Sequence, residues 1–516
     1  MPTEPLQAAT VAEALDAGPA RFGATQVEFS TAAGSTTFRL AELAADAGRL
    51  AGGLAGEGIG PGDRVAGLLP NGRDAFVLEL ATARLGATLV PVVPLLGSPE
   101  LAQIVADSSP ALLIHAPRWR KNDLNARVAA LDGTTRRIET GSPEWSGLFV
   151  AEAPPPHIPG PQDECLVIYT SGSTGAPKGV RHSHRAVLAE AVLPPYRATM
   201  TDADLALQAS AAGHIGGYLY PLRILLMGSR TIVMDGWDAE RAARLIADRR
   251  ISALPATPFH LAAILDVADR DGLDVSCLQY VVVGGAPCPP ELIERADRLG
   301  VRAVRSFGMS EHPTITLGDH SAGLAERASC DGRVARGNEV SLVDEAGQPV
   351  TPGAAGEIRT RGPERFIGYT NADPGALATG EWFSTGDIGR VDARGLLTVV
   401  DRKKNIIIRG GENLSASEIE LVLGRHPAVA EVAVVGVPDE KYGERACAFV
   451  VVAAGHTLDL GDVRRHFAEQ GVGIQKTPEH LRLVDQLPRS AIQKVRRQEL
   501  RQLFLAAPGP GGVRRG

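Results

Sequence analysis

At 516 residues the chain is too long for one hydrophobic core, so at least two domains are expected. A composition of 44% hydrophobic and 22% charged residues places it among folded globular proteins and excludes a disordered one. The formal net charge of -7 argues against a nucleic-acid binder.

The amino-terminal stretch carries Glu4 and Glu13 and no basic region ahead of an apolar segment, so it does not read as a signal peptide. Leu40, Leu43, Ala47, Leu50 and Leu54 recur at intervals of three and four, one face of an amphipathic helix that Gly58-Ile59-Gly60-Pro61-Gly62 stops. Residues 64–69 follow as a strand and Asp74 to Leu85 as a helix. The most apolar stretch, Ala75 to Leu96, is broken by Glu79, Arg84 and two prolines, so no membrane span is expected. Strand then helix returns further on, with helices over Asp238 to Arg249 and Pro290 to Leu299 beside strands near residues 251–255 and at Tyr280 to Val283. This alternation implies a mostly parallel sheet with crossover helices.

The texture changes after Val340. Short strands at Val340 to Val343, Gly356 to Thr360 and Leu396 to Val400 lie between Gly, Pro and Asp turns. A small α+β unit follows, with a helix over Ser415 to Arg425 and strands at Val432 to Val435 and Cys447 to Val452. The charged segment Asp401-Arg402-Lys403-Lys404-Asn405 separates the two textures. The reading is therefore a domain over 1–401, a smaller one over 402–505, and a Gly/Pro/Arg-rich disordered tail over 506–516. Five scattered cysteines (Cys165, Cys277, Cys288, Cys330, Cys447) without a Cys-x-x-Cys pair fit reduced thiols in a cytoplasm, not a disulfide framework or a zinc site.

The stretch Tyr169 to Val180 carries the most chemistry. It follows the apolar run Cys165 to Ile168, which reads as a buried strand. Thr170, Ser171, Ser173 and Thr174 supply hydroxyls, Gly172, Gly175 and Gly179 let backbone N–H groups converge, and Lys178 adds a point charge. That is a polyphosphate cradle. It is not the Walker pattern, because Gly179 follows Lys178 where a Ser or Thr would bind magnesium.

Four clusters lie downstream. Gly284-Gly285-Ala286-Pro287 leaves a strand at its carboxyl end, where ligands sit in parallel sheets. Ser306-Phe307-Gly308-Met309-Ser310-Glu311 offers an aromatic face and then a carboxylate able to hold magnesium. Ser384-Thr385-Gly386-Asp387 places an acid that could accept hydrogen bonds from a ribose diol. Residues 488–494 put Lys494 in a loop near the end of the chain.

This ordered set resembles the ANL superfamily of adenylate-forming enzymes, which includes acyl- and aryl-CoA synthetases, adenylation domains and luciferases. The resemblance runs from about Leu40 to Arg501. Gly213-His214-Ile215-Gly216-Gly217 and residues 406–413 make the chain most similar to cyclohexanecarboxylate- and short-chain or aryl-type CoA ligases. The resemblance implies a large domain of parallel sheets with a small β unit, and a small mobile α+β domain behind it. It also implies a two-step reaction, in which a carboxylic acid and ATP give an acyl-adenylate and pyrophosphate, and coenzyme A then displaces AMP.

Carried over by position, Thr170 to Lys178 would hold the pyrophosphoryl end and Glu311 the magnesium. Gly285, Ala286 and Phe307 would hold adenine, with Pro287, Ser306, Gly308 and Met309 in the same two motifs. Asp387 and Arg402 would hold the ribose, Lys404 would be the hinge, and His214 a wall of the acid pocket. Lys494 would bridge carboxylate and α-phosphate as charge grows in the transition state.

Three positions depart from the family pattern: Phe307 for the usual Tyr, Ser310 for Thr, and Gln493 for the Gly before the catalytic lysine. Gly reaches φ values that Gln disfavours, so Gln493 bears on how Lys494 is presented. It keeps open an adenylating enzyme of secondary metabolism that loads a carrier protein, or that activates nitrous acid to diazotise an aryl amine. Retention of Lys178, Glu311, Asp387 and Lys494 together counts against a non-catalytic nucleotide-binding protein.

Overall fold

The computed structural model describes residues 5–133, 135–150, 157, 159–171, 177–193, 201, 203–371, 381–410, 412–489 and 495–506. The chain divides into two compact units. One comprises Met1–Val340, Thr360–Phe383 and Gly395–Leu397; the other comprises Ser341–Arg359, Ser384–Arg394 and Thr398–Gly516.

Among the described residues the first unit holds two large sheets. One has the strand order Gly368–Tyr369, Pro177–Ser183, Glu164–Ser171, Thr88–Val92, Arg64–Leu68, Leu112–His115, Arg136–Glu139. The strands from Glu164–Ser171 onward run parallel, whereas Pro177–Ser183 turns back antiparallel. The apolar run before the phosphate motif is the core of this sheet: Leu166, Val167 and Ile168 have no exposed surface. The helix Leu40–Gly56 packs the expected face, burying Leu40, Leu43, Ala47, Leu50 and Leu54.

The second sheet contains a parallel run in the order Ala303–Met309, Tyr280–Val283, Ala253–Ala256, Ala206–Gln208, Thr231–Met234, Gln26–Thr31. Helices Ala239–Arg249, Pro258–Asp271 and Pro290–Arg298 connect its strands, as the alternation predicts. Asp238 starts the first of these, its side chain accepting from Arg241 N. Loops leaving the carboxyl ends of parallel strands form a ligand edge. Along that edge, in strand order, come the end of Ala303–Met309, then Gly284-Gly285, Thr257, residues 209–214 and residues 235–237.

Most residues of a sheet ordered Glu339–Val343, Gly356–Arg361, Phe383–Val391, Leu397–Arg402 belong to the second unit. That unit also carries a mixed sheet of Glu412–Ser415, Ile406–Arg409, Gly443–Val452, Val429–Asp439 and His480–Leu483. The strand expected over 432–435 is longer, Val429–Asp439, because its whole length pairs with Gly443–Val452. The expected helix is Ala416–Leu423, and Ser415 is its cap, accepting from Glu418 N. All five cysteines are free thiols. Among the described residues no helix is long and apolar enough to cross a membrane.

Candidate active site

The described ends of the Ser/Gly motif lie on two antiparallel strands. Lys178 pairs with Thr170, and Pro177 with Ser171, so the strands bring both ends of the motif together. Gly172, Ser173, Thr174 and Gly175 lie outside the described residues. Lys178 is exposed. Gly179 is needed for packing: a Cβ there would stand 2.6 Å from Thr370 Cγ2 and 2.9 Å from Val167 Cγ1. The base of the hairpin is tied to the helix Ser98–Ser108 through Asp107, whose carboxylate accepts from Tyr169 Oη and, at 2.6 Å, from Thr370 Oγ1.

Glu311 sits with Ser310 in the turn joining the antiparallel strands Ala303–Met309 and His312–Leu317, where Met309 pairs with His312. Gly308 occupies an irregularity in that pairing, and a Cβ on it would lie 1.8 Å from Pro313 O. Glu311 is buried, its Oε1 accepts from Tyr369 Oη at 2.8 Å, and its carbonyl accepts from Phe366 N at 2.8 Å. The Tyr369 ring lies 4.9 Å from Phe366 and 5.7 Å from Lys178 Nζ, within cation–π range. Burial, and then the neighbouring Glu311 charge, push the Tyr369 phenol well above its usual range, so it stays a donor. Lys178 and Glu311, far apart in sequence, thus meet across one tyrosine.

Tyr369 lies outside every motif named above, and only the pairing of Gly368–Tyr369 with Val180 and Arg181 carries it to the site. Met309 packs on the apolar cluster of Val180, Phe366 and Phe383.

On the neighbouring strand end, Gly285, Ala286 and Pro287 are exposed. Gly285 has φ +80°, a conformation that favours glycine, and a Cβ on Gly284 would meet Ser306 Oγ at 2.6 Å. Ser306 Oγ donates to Val283 O at 3.4 Å, holding the two motifs side by side. Phe307 pairs with Thr316.

Further along the edge, His214 precedes the helix Ile215–Met227. Its loop is pinned by Asn71, which donates to Ser210 O (2.9 Å) and Met234 O (3.0 Å) and accepts from Ala212 N (2.7 Å). The glycines around His214 are packing requirements. A Cβ at Gly213 would stand 2.6 Å from Val93 Cγ2, and one at Gly217 would stand 1.9 Å from Ala211 O. His260 stacks on Trp237 with ring centroids 4.2 Å apart and planes at 35°. Burial, then the charge of nearby His214, lower the His260 imidazole to about 4, so it is neutral. Phe259 beside it is 52% exposed.

In the second unit, Asp387 and Arg402 come together, with the Lys404 charge nearby. Arg402 Nε lies 3.0 Å from Asp387 Oδ1. Asp387 Oδ2 is buried with no hydrogen-bond partner among the described residues. Burial raises the Asp387 carboxyl, and Arg402 and Lys404 partly offset it. An orphaned carboxylate oxygen beside a fixed one is the acceptor set a vicinal diol requires. Asp401 carries the local structure, accepting from Ser415 Oγ (2.6 Å), Ser417 N (2.9 Å) and Arg402 N (2.7 Å). Gln493 and Lys494 lie outside the described residues.

Among the described residues no group of three or more His, Cys, Asp or Glu is arranged to hold a metal. Glu311 fits magnesium of another kind, an ion held by one or two carboxylates and by substrate phosphates.

The profile of the AMP-binding enzyme family matches residues 20–370, and that of its C-terminal domain matches residues 418–494. The chain is similar to the feruloyl-CoA synthase of an Amycolatopsis species, 34% identical over 91% of this chain and 95% of that one. It is similar to the indoleacetate–CoA ligase of Aromatoleum aromaticum, 35% identical over 90% and 92%. The crystal structure of ATP-bound MatB from Rhodopseudomonas palustris superposes with a TM-score of 0.86 at 26% identity, covering 97% of this chain and 99% of that one.

Proposed function

The chain belongs to the AMP-binding enzymes of the ANL superfamily, and we propose on that basis that it is an AMP-forming ligase joining an aryl carboxylic acid to coenzyme A. The observation that carries the reading is the meeting of Lys178, Tyr369 and Glu311 beside the ligand edge of the second sheet. A cation, a fixed donor and a carboxylate together suit a magnesium–polyphosphate. When bound, magnesium supplies charge neutralisation on the phosphates.

A carboxylate oxygen of the acid attacks the α-phosphorus of ATP, and the bond to pyrophosphate breaks. The hairpin residues Thr170 to Lys178 hold the departing pyrophosphate, and Lys494 holds the carboxylate against the α-phosphate. The motifs Gly285-Ala286-Pro287 and Ser306 to Met309 take the adenine. Asp387 and Arg402 take the ribose. The thiol sulfur of coenzyme A then attacks the carbonyl carbon, the bond to AMP breaks, and the thioester leaves.

We assign binding of ATP and the acid to 1–401, and to 402–505 the part of a mobile lid that carries Lys494, with Lys404 as the hinge. A carrier protein would present the same kind of thiol and is the alternative acceptor. The reaction is assigned to the cytoplasm, in keeping with the free thiols.

The Trp237–His260 stack and exposed Phe259 favour an aryl acid, because they offer flat, uncharged faces near His214 and the nucleotide motifs. The test is a panel of aryl and alkyl acids, scored for pyrophosphate release and thioester. Aryl acids should give the higher kcat/KM, and a preference for alkyl acids would overturn the assignment of the acid.

A further inference from the structure

Immediately after Glu311 the chain buries a second acid–base contact. His312 and Glu364 are both fully buried, and His312 Nε2 lies 3.6 Å from Glu364 Oε2. Neither of these two atoms has a hydrogen-bond partner among the described residues. The other polar atoms are engaged. Thr360 Oγ1 lies 3.0 Å from His312 Nδ1, and Glu364 Oε1 accepts from Asn338 Nδ2 at 2.9 Å. Asn338 Nδ2 also donates to Thr314 O at 2.9 Å, in the strand that follows Glu311. The arrangement depends on Gly362, where a Cβ would stand 1.8 Å from Asn338 Oδ1.

Burying ionisable groups is costly, and an apolar pair of similar volume often serves stability as well. What this contact adds is registry between two segments. His312 and Thr314 belong to the Glu311 hairpin. Glu364 belongs to the segment whose Phe366 N–H and Tyr369 hydroxyl both bond Glu311. Glu364 therefore spans the same gap as those two bonds, from the buried side.

We propose that Glu364 is a positioning residue that, through His312 and Asn338, holds the Glu311 carboxylate and the Tyr369 hydroxyl in register for magnesium–ATP. The inference rests on the reading of Glu311 given above. Glu364→Leu, Glu364→Gln and the double variant His312→Leu/Glu364→Leu test it in the full chain. The first readout is Mn2+ binding in the presence of ATP, followed by EPR of the free ion. The second is the magnesium concentration that half-saturates pyrophosphate release, beside the KM for the acid.

Glu364→Leu should weaken Mn2+ binding and raise the magnesium requirement about tenfold, the effect of losing one hydrogen bond to a charged group. The KM for the acid should stay within about twofold, and Glu364→Gln should restore metal binding to within about threefold, since its amide oxygen keeps the acceptor for Asn338. The double variant, with an apolar pair in the same space, should fold and keep the metal defect. Wild-type metal binding in either folded leucine variant would overturn the proposal. Failure of both to fold would also overturn it, by making Glu364 a stability residue. A wild-type enzyme that binds Mn2+ with ATP but releases no pyrophosphate with any acid would refute the catalytic reading instead.

Discussion

Tyr369 donates its hydroxyl hydrogen to Glu311 at 2.8 Å, and that bond joins an edge strand of one sheet to a hairpin turn of the other. Glu311 and the hairpin strand that carries Lys178 are thereby held in one frame. Tyr369→Phe keeps the ring against Phe366 and removes the bond. A hydrogen bond to a charged group contributes about 1.5–3 kcal/mol, so kcat/KM for magnesium–ATP should fall roughly 10- to 100-fold. The Tm should change by no more than a few degrees. Steady-state kinetics beside a melting curve check this.

Two glycines should behave differently. Gly308→Ala forces a Cβ to 1.8 Å from a carbonyl oxygen, so the hairpin carrying Glu311 must shift. Overpacking of this kind costs about 1–3 kcal/mol, and activity should fall with stability. Gly285→Ala meets only Thr257 Cγ2, at 3.8 Å, but must hold φ +80°. A left-handed alanine costs about 1–2 kcal/mol, with ATP affinity the more sensitive readout because the residue lies on the exposed ligand edge. Melting curves and ATP titrations separate the two.

Much of the architecture is legible from the residues. The strand Tyr280–Val283 and the helix over Leu40 to Leu54 follow from apolar spacing alone. Lys178, Glu311 and Asp387 stand out by charge within Gly-rich or turn-rich motifs, whereas Arg402 is singled out only through the family resemblance. Partnerships set by pairing between distant strands are not legible. Tyr369 reaches Glu311 only because Gly368–Tyr369 adds to the edge of the first sheet, and Asp107 reaches Tyr169 only through the docking of its helix. Gly213 and Gly217 are likewise required by neighbours far away or across a turn, which no local rule reveals.

Acid should destabilise the first unit earlier than carboxylate protonation alone would. Burial lowers His182, His184, His260 and His320 to about 4. Between about pH 6.5 and 4 the unfolded chain binds protons that the folded chain does not, so stability falls as pH drops, by up to about 1.4 kcal/mol per unit per histidine. The raised carboxyls of Asp74 and Glu79 in the same unit have the opposite sign, favouring the folded state at low pH and losing that contribution as pH rises through their folded pKa. Four histidines outnumber these two carboxyls. Urea midpoints at pH 7.5, 6.5, 5.5 and 4.5 should decline steadily below 6.5, and His182→Gln should flatten the decline. A flat profile down to pH 5 would mean that these imidazoles are not held neutral.

The proposed roles of Lys494 and Lys404 separate the two half-reactions. Lys494→Ala should slow adenylation by about two or more orders of magnitude, as for loss of one donor to developing charge, and slow thioester formation from supplied adenylate far less. Lys404→Pro fixes φ near −65° and removes a donor, so adenylation should survive and transfer to the thiol should fail. Single-turnover assays of each step decide both. Near wild-type transfer in Lys404→Pro would place the pivot elsewhere.

The central claim is tested most directly by following all products of one reaction mixture: ATP, magnesium and an aryl acid, with and without coenzyme A. The account predicts pyrophosphate release that depends on the acid and, when coenzyme A is present, AMP in an amount equal to pyrophosphate together with an aryl-CoA thioester. ADP and phosphate in place of AMP and pyrophosphate would contradict it. So would turnover that ignores coenzyme A and proceeds with nitrite and an aryl amine.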